Sequence, residues 1–259
     1  SHTMLSFSEY GTATDAPALL IVHGLFGSGR NWGVIAKRLS DTRRVITVDM
    51  RNHGDSPRAD TQTYPDMAAD LAQVIRHIGA PMDVCGHSMG GKASMVLALQ
   101  HPELVRRLIV ADIAPVAYDH NQQGFIDAMR SVDLSTLTRR SDAQEQLAAA
   151  GVEPALQSFF TQSLDVANKA WKLNLDVLEA EMSQIVGWPE TVTGPFNGPT
   201  FFLSGAASHY VKPEYRPLIK SLFPNAHFAK IPGAGHWLHA ENPRAFEASV
   251  RAFLDHGEP

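Results

Sequence analysis

Met82-Asp83-Val84-Cys85-Gly86-His87-Ser88-Met89-Gly90-Gly91 is the stretch on which the reading of this chain turns. Met82 to Cys85 is a short, mainly apolar run of the kind that forms a buried strand. It leads directly into G-x-S-x-G, and the Ala-, Met- and Leu-rich stretch from Met89 to Gln100 follows as a helix. A serine on a sharp strand-to-helix turn is the context of a nucleophile elbow, which pushes the hydroxyl clear of a sheet. Glycines at 86 and 90 give the turn room, because a Cβ there would collide with it. The helix N-terminus favours negative charge developing close by. A plain surface turn would require neither the strand before, the helix after, nor the extra Gly91. Ser88 is therefore the candidate nucleophile.

Working outward, short apolar runs alternate with helical patterns. Leu19–Val22, Val45–Val48, Leu108–Ala111, Thr200–Leu203 and Ala226–Ile231 read as further strands. Continuous apolar runs of this length suit strands covered on both faces. Pro65 to Ile78 places Met67, Leu71, Val74, Ile75 and Ile78 on one helical face and stops at Gly79. Asn242 to Leu254 closes the chain as a helix with Pro243 in its first turn. The alternation predicts an α/β fold with a mostly parallel central sheet flanked by helices. Residues 115–189 break it: they show helical patterning and no convincing strand, and read as an inserted helical cap. The expected organisation is a core over 4–114, the cap over 115–189 and the rest of the core over 190–259. Ser1-His2-Thr3 has the look of a cloning scar before Met4.

The 259 residues fit one large core with an insertion better than two independent domains. A net charge of -5 gives no basic footprint for nucleic acid. The single cysteine, Cys85, excludes a disulfide framework within the chain and a cysteine-based metal site, and reads as a small core residue. No run approaches the length of a membrane-spanning helix. No stable membrane insertion is expected, and a cytoplasmic location is the default.

A serine needs a base to become a nucleophile. Gly233-Ala234-Gly235-His236 follows the last strand, and His236 fits the order nucleophile, acid, histidine along the chain. His239 lies beyond the glycines, while His209 and His227 precede them. His23-Gly24-Leu25-Phe26-Gly27 follows the first apolar strand, where a loop of this type supplies one backbone N–H to an oxyanion. The residue after the nucleophile supplies the other, so the donors are Leu25 and Met89. His23 reads as a brace for that loop rather than as a base.

Together, His23-Gly24, Asp49-Met50-Arg51-Asn52-His53-Gly54-Asp55-Ser56, the elbow and Gly233-Ala234-Gly235-His236 resemble the α/β-hydrolase superfamily over nearly the whole chain outside the cap. Most members carry the triad acid in G-x-x-D-x-x-V. The matching stretch here is Gly205-Ala206-Ala207-Ser208-His209-Tyr210-Val211, with serine in place of the aspartate. Between Gly205 and His236 only Glu214 is acidic. Asp112 ends the preceding strand, and parallel strands open into one crevice. The arrangement, with Asn52-His53 and Gly91-Lys92, is similar to the YbfF-type esterase/thioesterase subfamily, which implies Asp112 as the acid and leaves Glu214 as second candidate.

The resemblance implies a serine esterase acting on small-molecule carboxylic esters, with acyl-CoA thioesters as an extension, and needing no metal or organic cofactor. Short to medium acyl esters are expected. Two alternatives stay open: a carbon–carbon bond hydrolase, which shares the triad, and a non-catalytic small-molecule receptor on the same fold. Asp49, Arg51 and His53 read as bracing. The cap aromatics read as packing, some of it at a pocket mouth. Lys92 reads as solvated or ion-paired, with contact to an anionic substrate as the sharper option.

Overall fold

The computed structural model describes residues 3–120 and 122–256. Ser1 and His2 of the expected cloning scar lie outside them. In chain order the strands are β1 (Phe7–Tyr10), β2 (Leu19–Val22), β3 (Val45–Val48), β4 (Met82–His87), β5 (Val105–Ala111), β6 (Leu164–Asp165), β7 (Ala170–Trp171), β8 (Thr200–Gly205) and β9 (Ala226–Ile231). Seven of them form one sheet in the order β1-β3-β2-β4-β5-β8-β9. Within this sheet, among the described residues, only the β1–β3 pair is antiparallel. The protein thus has the expected mostly parallel sheet, with an antiparallel edge strand that the apolar pattern did not reveal.

The helices are α1 (Gly33–Leu39), α2 (Tyr64–Ile78), α3 (Met89–Gln100), α4 (Gln123–Arg130), α5 (Arg140–Ala149), α6 (Pro154–Thr161), α7 (Leu175–Ala180), α8 (Met182–Val186), α9 (Arg216–Leu222), α10 (Leu238–Glu241) and α11 (Pro243–Asp255). They cover both faces of the sheet, and the strand pleat decides which residues meet which helices. Leu20, Val22, Ile46, Val48, Val84 and Val110 join one apolar cluster with α2 and α3. Leu19, Ile21, Val45, Cys85, Ile109 and Leu203 join the other with α1 and α11. Cys85 is buried there as a small core residue.

The sheet also holds a buried ionic cluster. Asp83, fully buried at the start of β4, accepts hydrogen bonds from Arg43 (3.2 Å) and Arg106 (2.8 and 2.7 Å). Arg107 reaches the carbonyls of Phe253 and His256 at the end of α11. A charge so placed is tolerable only when paired.

After β2 the chain goes to β3 on one side, then crosses to β4 on the other. This reversal opens a crevice at the carboxyl ends of β2 and β4, the usual place for a ligand in such sheets. Between β5 and β8 lie α4 to α8 and the β6–β7 hairpin, paired Leu164 with Trp171 and Asp165 with Ala170. The expectation of no strand in this stretch is therefore corrected. Two residues per strand are too few for a period-2 pattern to register. Gly54 N–H donates to the Lys172 carbonyl (2.8 Å) and Asn174 N–H to the Asn52 carbonyl (2.9 Å), which fastens the insertion to the 49–56 loop.

Candidate active site

Ser88 stands between β4 and α3 with φ 56° and ψ −119°. For a residue with a side chain this backbone is strained, as a nucleophile elbow demands. The turn is held by close backbone approach. A methyl group on Gly86 would strike the Gly90 carbonyl, and one on Gly90 would strike the carbonyls of Val22 and His23. Glycine at both positions lets β4, α3 and the loop after β2 meet.

His236 arrives from the glycine loop after β9. Its Nε2 lies 3.0 Å from Ser88 Oγ, and its Nδ1 lies 2.7 Å from Asp112 Oδ2. With the proton on Nδ1, the imidazole donates to the carboxylate and accepts from the serine hydroxyl. Tyr210 stacks on the imidazole, ring centroids 4.0 Å apart. His87 Nε2 donates to the His236 carbonyl at 2.7 Å and fixes the loop from below.

Asp112 is fully buried at the end of β5, with φ 54°. Its N–H donates to the Leu203 carbonyl of β8 (2.8 Å). Its Oδ1 accepts from Gly205 N–H (3.1 Å), and its Oδ2 accepts from Ser208 Oγ (2.6 Å) as well as from His236. The serine at the position where an aspartate was expected therefore touches the acid from the neighbouring strand. A serine cannot carry the charge of that aspartate; its hydroxyl instead serves as a donor to the carboxylate. Glu214 is exposed, in a 3-10 turn over Pro213–Tyr215 ahead of α9. It has no hydrogen bond with His236 among the described residues.

Leu25 and Met89 follow the adjacent strands β2 and β4, which run in parallel with Val22 beside Gly86. Among the described residues neither backbone N–H donates to a protein acceptor. Around them the loop is fixed by two neutral imidazoles. His53 donates through Nδ1 to the Arg51 carbonyl (2.8 Å) and accepts the N–H of Phe26 (3.1 Å), a residue with φ 67°. His23 donates through Nδ1 to the Gly24 carbonyl (2.7 Å) and accepts the N–H of Met50 (2.9 Å). Burial, with the neighbouring His23, pushes His53 down to about 3, and burial lowers His23 as well. Both rings have each nitrogen occupied by backbone, which is the bracing role expected of them. Asp49 likewise accepts from the N–H groups of Gly29 (2.8 Å) and Asp55 (2.9 Å), and Arg51 pairs with Asp70. His239 is buried against Trp32, centroids 3.9 Å apart, rather than beside Ser88 Oγ. His209 and His227 are exposed.

Lys92 contradicts its sequence reading. It is 1% exposed and pairs with no carboxylate among the described residues. Its Nζ donates to the carbonyls of Val186 (3.2 Å) and Gly187 (2.6 Å) and sits 4.8 Å from the Tyr118 ring centroid and 5.6 Å from that of Tyr64. Burial lowers its ammonium to about 7. The helical position alone could not show that the insertion closes over this side chain.

Ser88, His236, Lys92, Phe125, Phe160 and Val186 are among the residues lining one cavity of about 90 Å³. A hollow of about 460 Å³ adjoins it past Tyr118, His120, Tyr210 and His236. Among the described residues no helix is long and apolar enough to cross a membrane.

The model of the alpha/beta hydrolase fold family matches residues 17–243. The chain belongs to this family. It is 40% identical to the sn-1-specific diacylglycerol lipase ABHD11 of Mus musculus, over 96% of this chain and 85% of that protein. It is 37% identical to esterase YbfF of Escherichia coli, over 92% of each. A marine microorganism esterase of known structure superposes with a TM-score of 0.90 at 37% identity, covering 96% of this chain and 99% of the other. The expected likeness to YbfF-type esterases thus extends over most of the chain, and the protein is a hydrolase of the esterase and lipase group of this fold.

Proposed function

We propose that this chain is a serine carboxylesterase acting on short to medium acyl esters, with Ser88 as nucleophile, His236 as base and Asp112 as the acid that orients it. The observation that carries the reading is the continuous chain of hydrogen bonds from Ser88 Oγ through His236 to Asp112, at 3.0 and 2.7 Å. His236 Nε2 takes the hydroxyl proton as Ser88 Oγ attacks the carbonyl carbon. Asp112 faces the resulting imidazolium through Nδ1–H and stabilises its charge. The backbone N–H groups of Leu25 and Met89 receive the oxyanion, each worth about 3 kcal/mol in sites of this kind. Collapse of the tetrahedral species breaks the bond to the alcohol, which leaves with the proton from Nε2. Water then repeats the sequence on the acyl-enzyme and releases the acid. Residues 115–189 act as the cap, their apolar side chains forming the acyl side of the small cavity. Acyl-CoA thioesters fit the same steps, the hollow beyond Tyr210 leaving room for a large leaving group.

Turnover of p-nitrophenyl acetate tests this. Ser88→Ala should fall to the buffer rate, and Asp112→Asn should lower kcat by about 10⁴, as triad aspartates do elsewhere. Glu214→Gln should leave it unchanged. Equal rates for wild type and Ser88→Ala would remove the esterase reading in favour of a receptor. A larger loss in Glu214→Gln than in Asp112→Asn would move the acid.

A further inference from the structure

Lys92 is the one buried ammonium on the cavity wall among the described residues, and the esterase steps do not use it. It sits one helical turn beyond Ser88 on α3, its backbone N–H donating to the Ser88 carbonyl at 3.0 Å. Its surroundings solvate a cation without neutralising it. Two main-chain carbonyls at the end of α8 accept from Nζ, and the faces of Tyr118 and Tyr64 lie against it. Aromatic faces attract an ammonium through their quadrupole. Neither carbonyls nor rings supply the opposite charge that a buried ion needs. The only cause moving its titration is loss of water, with no acidic neighbour to offset it. A leucine or methionine would fill this place at far smaller cost.

An ammonium carries three N–H donors. Two are used by Val186 and Gly187, which leaves one without a protein acceptor among the described residues. The position relative to the reacting groups is set by a run of rings. Lys92 Nζ lies over Tyr118, the Tyr118 and Tyr210 centroids are 5.3 Å apart, and Tyr210 stacks on His236. Nζ therefore stands on the same wall as the base, two aromatic rings along it.

We propose that Lys92 is a specificity-determining residue that binds a carboxylate at the far end of the acyl group, so that the preferred substrates are monoesters of short dicarboxylic acids. This rests on the Ser88 esterase reading. In the bound state the carboxylate receives the free N–H of Nζ and supplies the missing negative charge, forming a charge-assisted hydrogen bond inside the cavity. The scissile carbonyl meanwhile occupies the Leu25 and Met89 donors. The chain between the two groups is short, because Lys92 lies one helical turn from Ser88 and both ends are held by the protein.

The test is a pH-stat comparison of monoethyl succinate, glutarate and adipate with ethyl butyrate, valerate and hexanoate. For at least one pair the wild type should favour the hemiester in kcat/KM by about tenfold, the size expected of a hydrogen bond to a charged group. Lys92→Met should abolish or invert that ratio, chiefly through KM. A wild-type ratio near unity for every pair, with ethyl esters turned over, overturns the proposal. So does a Lys92→Met enzyme that loses activity on both series at an unchanged ratio, the mark of a purely structural lysine. Calorimetric titration of the wild type with free glutarate and with valerate gives a second readout that depends on neither the variant nor turnover. Glutarate should bind about tenfold more tightly, and equal affinities would refute the carboxylate site. Absence of turnover on both series, with glutarate still preferred, would strike the esterase reading alone.

Discussion

Asp112 collects three donors: Gly205 N–H on Oδ1, and Ser208 Oγ and His236 Nδ1 both on Oδ2. A buried carboxylate with this many partners is fixed in place and held ready for the imidazolium. In the proposed mechanism Ser208 acts through Asp112, as a positioning residue. Ser208→Ala removes one of the two bonds to the oxygen that faces His236, and leaves the carboxylate freer to turn away from Nδ1. The expected result is a fall in kcat of about tenfold, the scale of one hydrogen bond to a charged group, with KM little changed and Ser208→Thr restoring most of the loss. Steady-state kinetics on p-nitrophenyl acetate would show it, and an unchanged kcat in Ser208→Ala would assign the hydroxyl to packing alone.

At the scale of elements, the site depends on turns that end parallel strands. β8 ends at Gly205, where an added Cβ would run into the carbonyls of Ala234 and Gly235 in the loop that carries His236. Gly205→Ala must therefore push that loop away, shifting His236 while leaving the sheet intact. A displacement near 1 Å costs catalysis about a hundredfold, so kcat/KM should fall by that order with the circular dichroism spectrum preserved. Wild-type activity in Gly205→Ala would mean that the loop adapts without moving the imidazole. Most of the strands that the sequence revealed are largely buried, β2 and β3 at every position, while β9 is exposed at His227, Ala229 and Lys230. β1 escaped because its four residues are only half-buried or exposed. α1, with seven residues, is too short to register a helical period strongly.

At the scale of the whole molecule, folding buries imidazoles around the crevice in the neutral state. Burial, with neighbouring histidines, pushes His53 and His239 from 6.5 down to about 3, and holds His87 well below its usual value. The unfolded chain accepts these protons near pH 6.5, while the folded chain refuses them until far lower pH. The unfolded state therefore gains protons first, and stability is lost as pH falls below 6.5. Each of His53 and His239 contributes a loss of about 2 kcal/mol by pH 5. Urea melts should show a lower midpoint at pH 5 than at pH 7, and His239→Phe should flatten the dependence. Equal midpoints in the wild type would mean that these rings are protonated in the fold.

The sequence by itself determined what is local. The Gly86–Gly91 elbow, the strands on either side of it and the glycine loop before His236 are written in adjacent residues, because turn sterics and strand burial act over a few bonds. Tertiary structure decided the partnerships. His236 and Asp112 are 124 residues apart, and their contact exists because β9 pairs in parallel register with β8, and β8 with β5. The same register carries Ser208 onto Asp112, and the insertion between those strands carries Val186 and Gly187 onto Lys92. Hydrogen bonds and charge burial operate across space, so the surroundings of an uncharged serine and of a lysine expected to be solvated or ion-paired were set only when the sheet and its insertion closed around them.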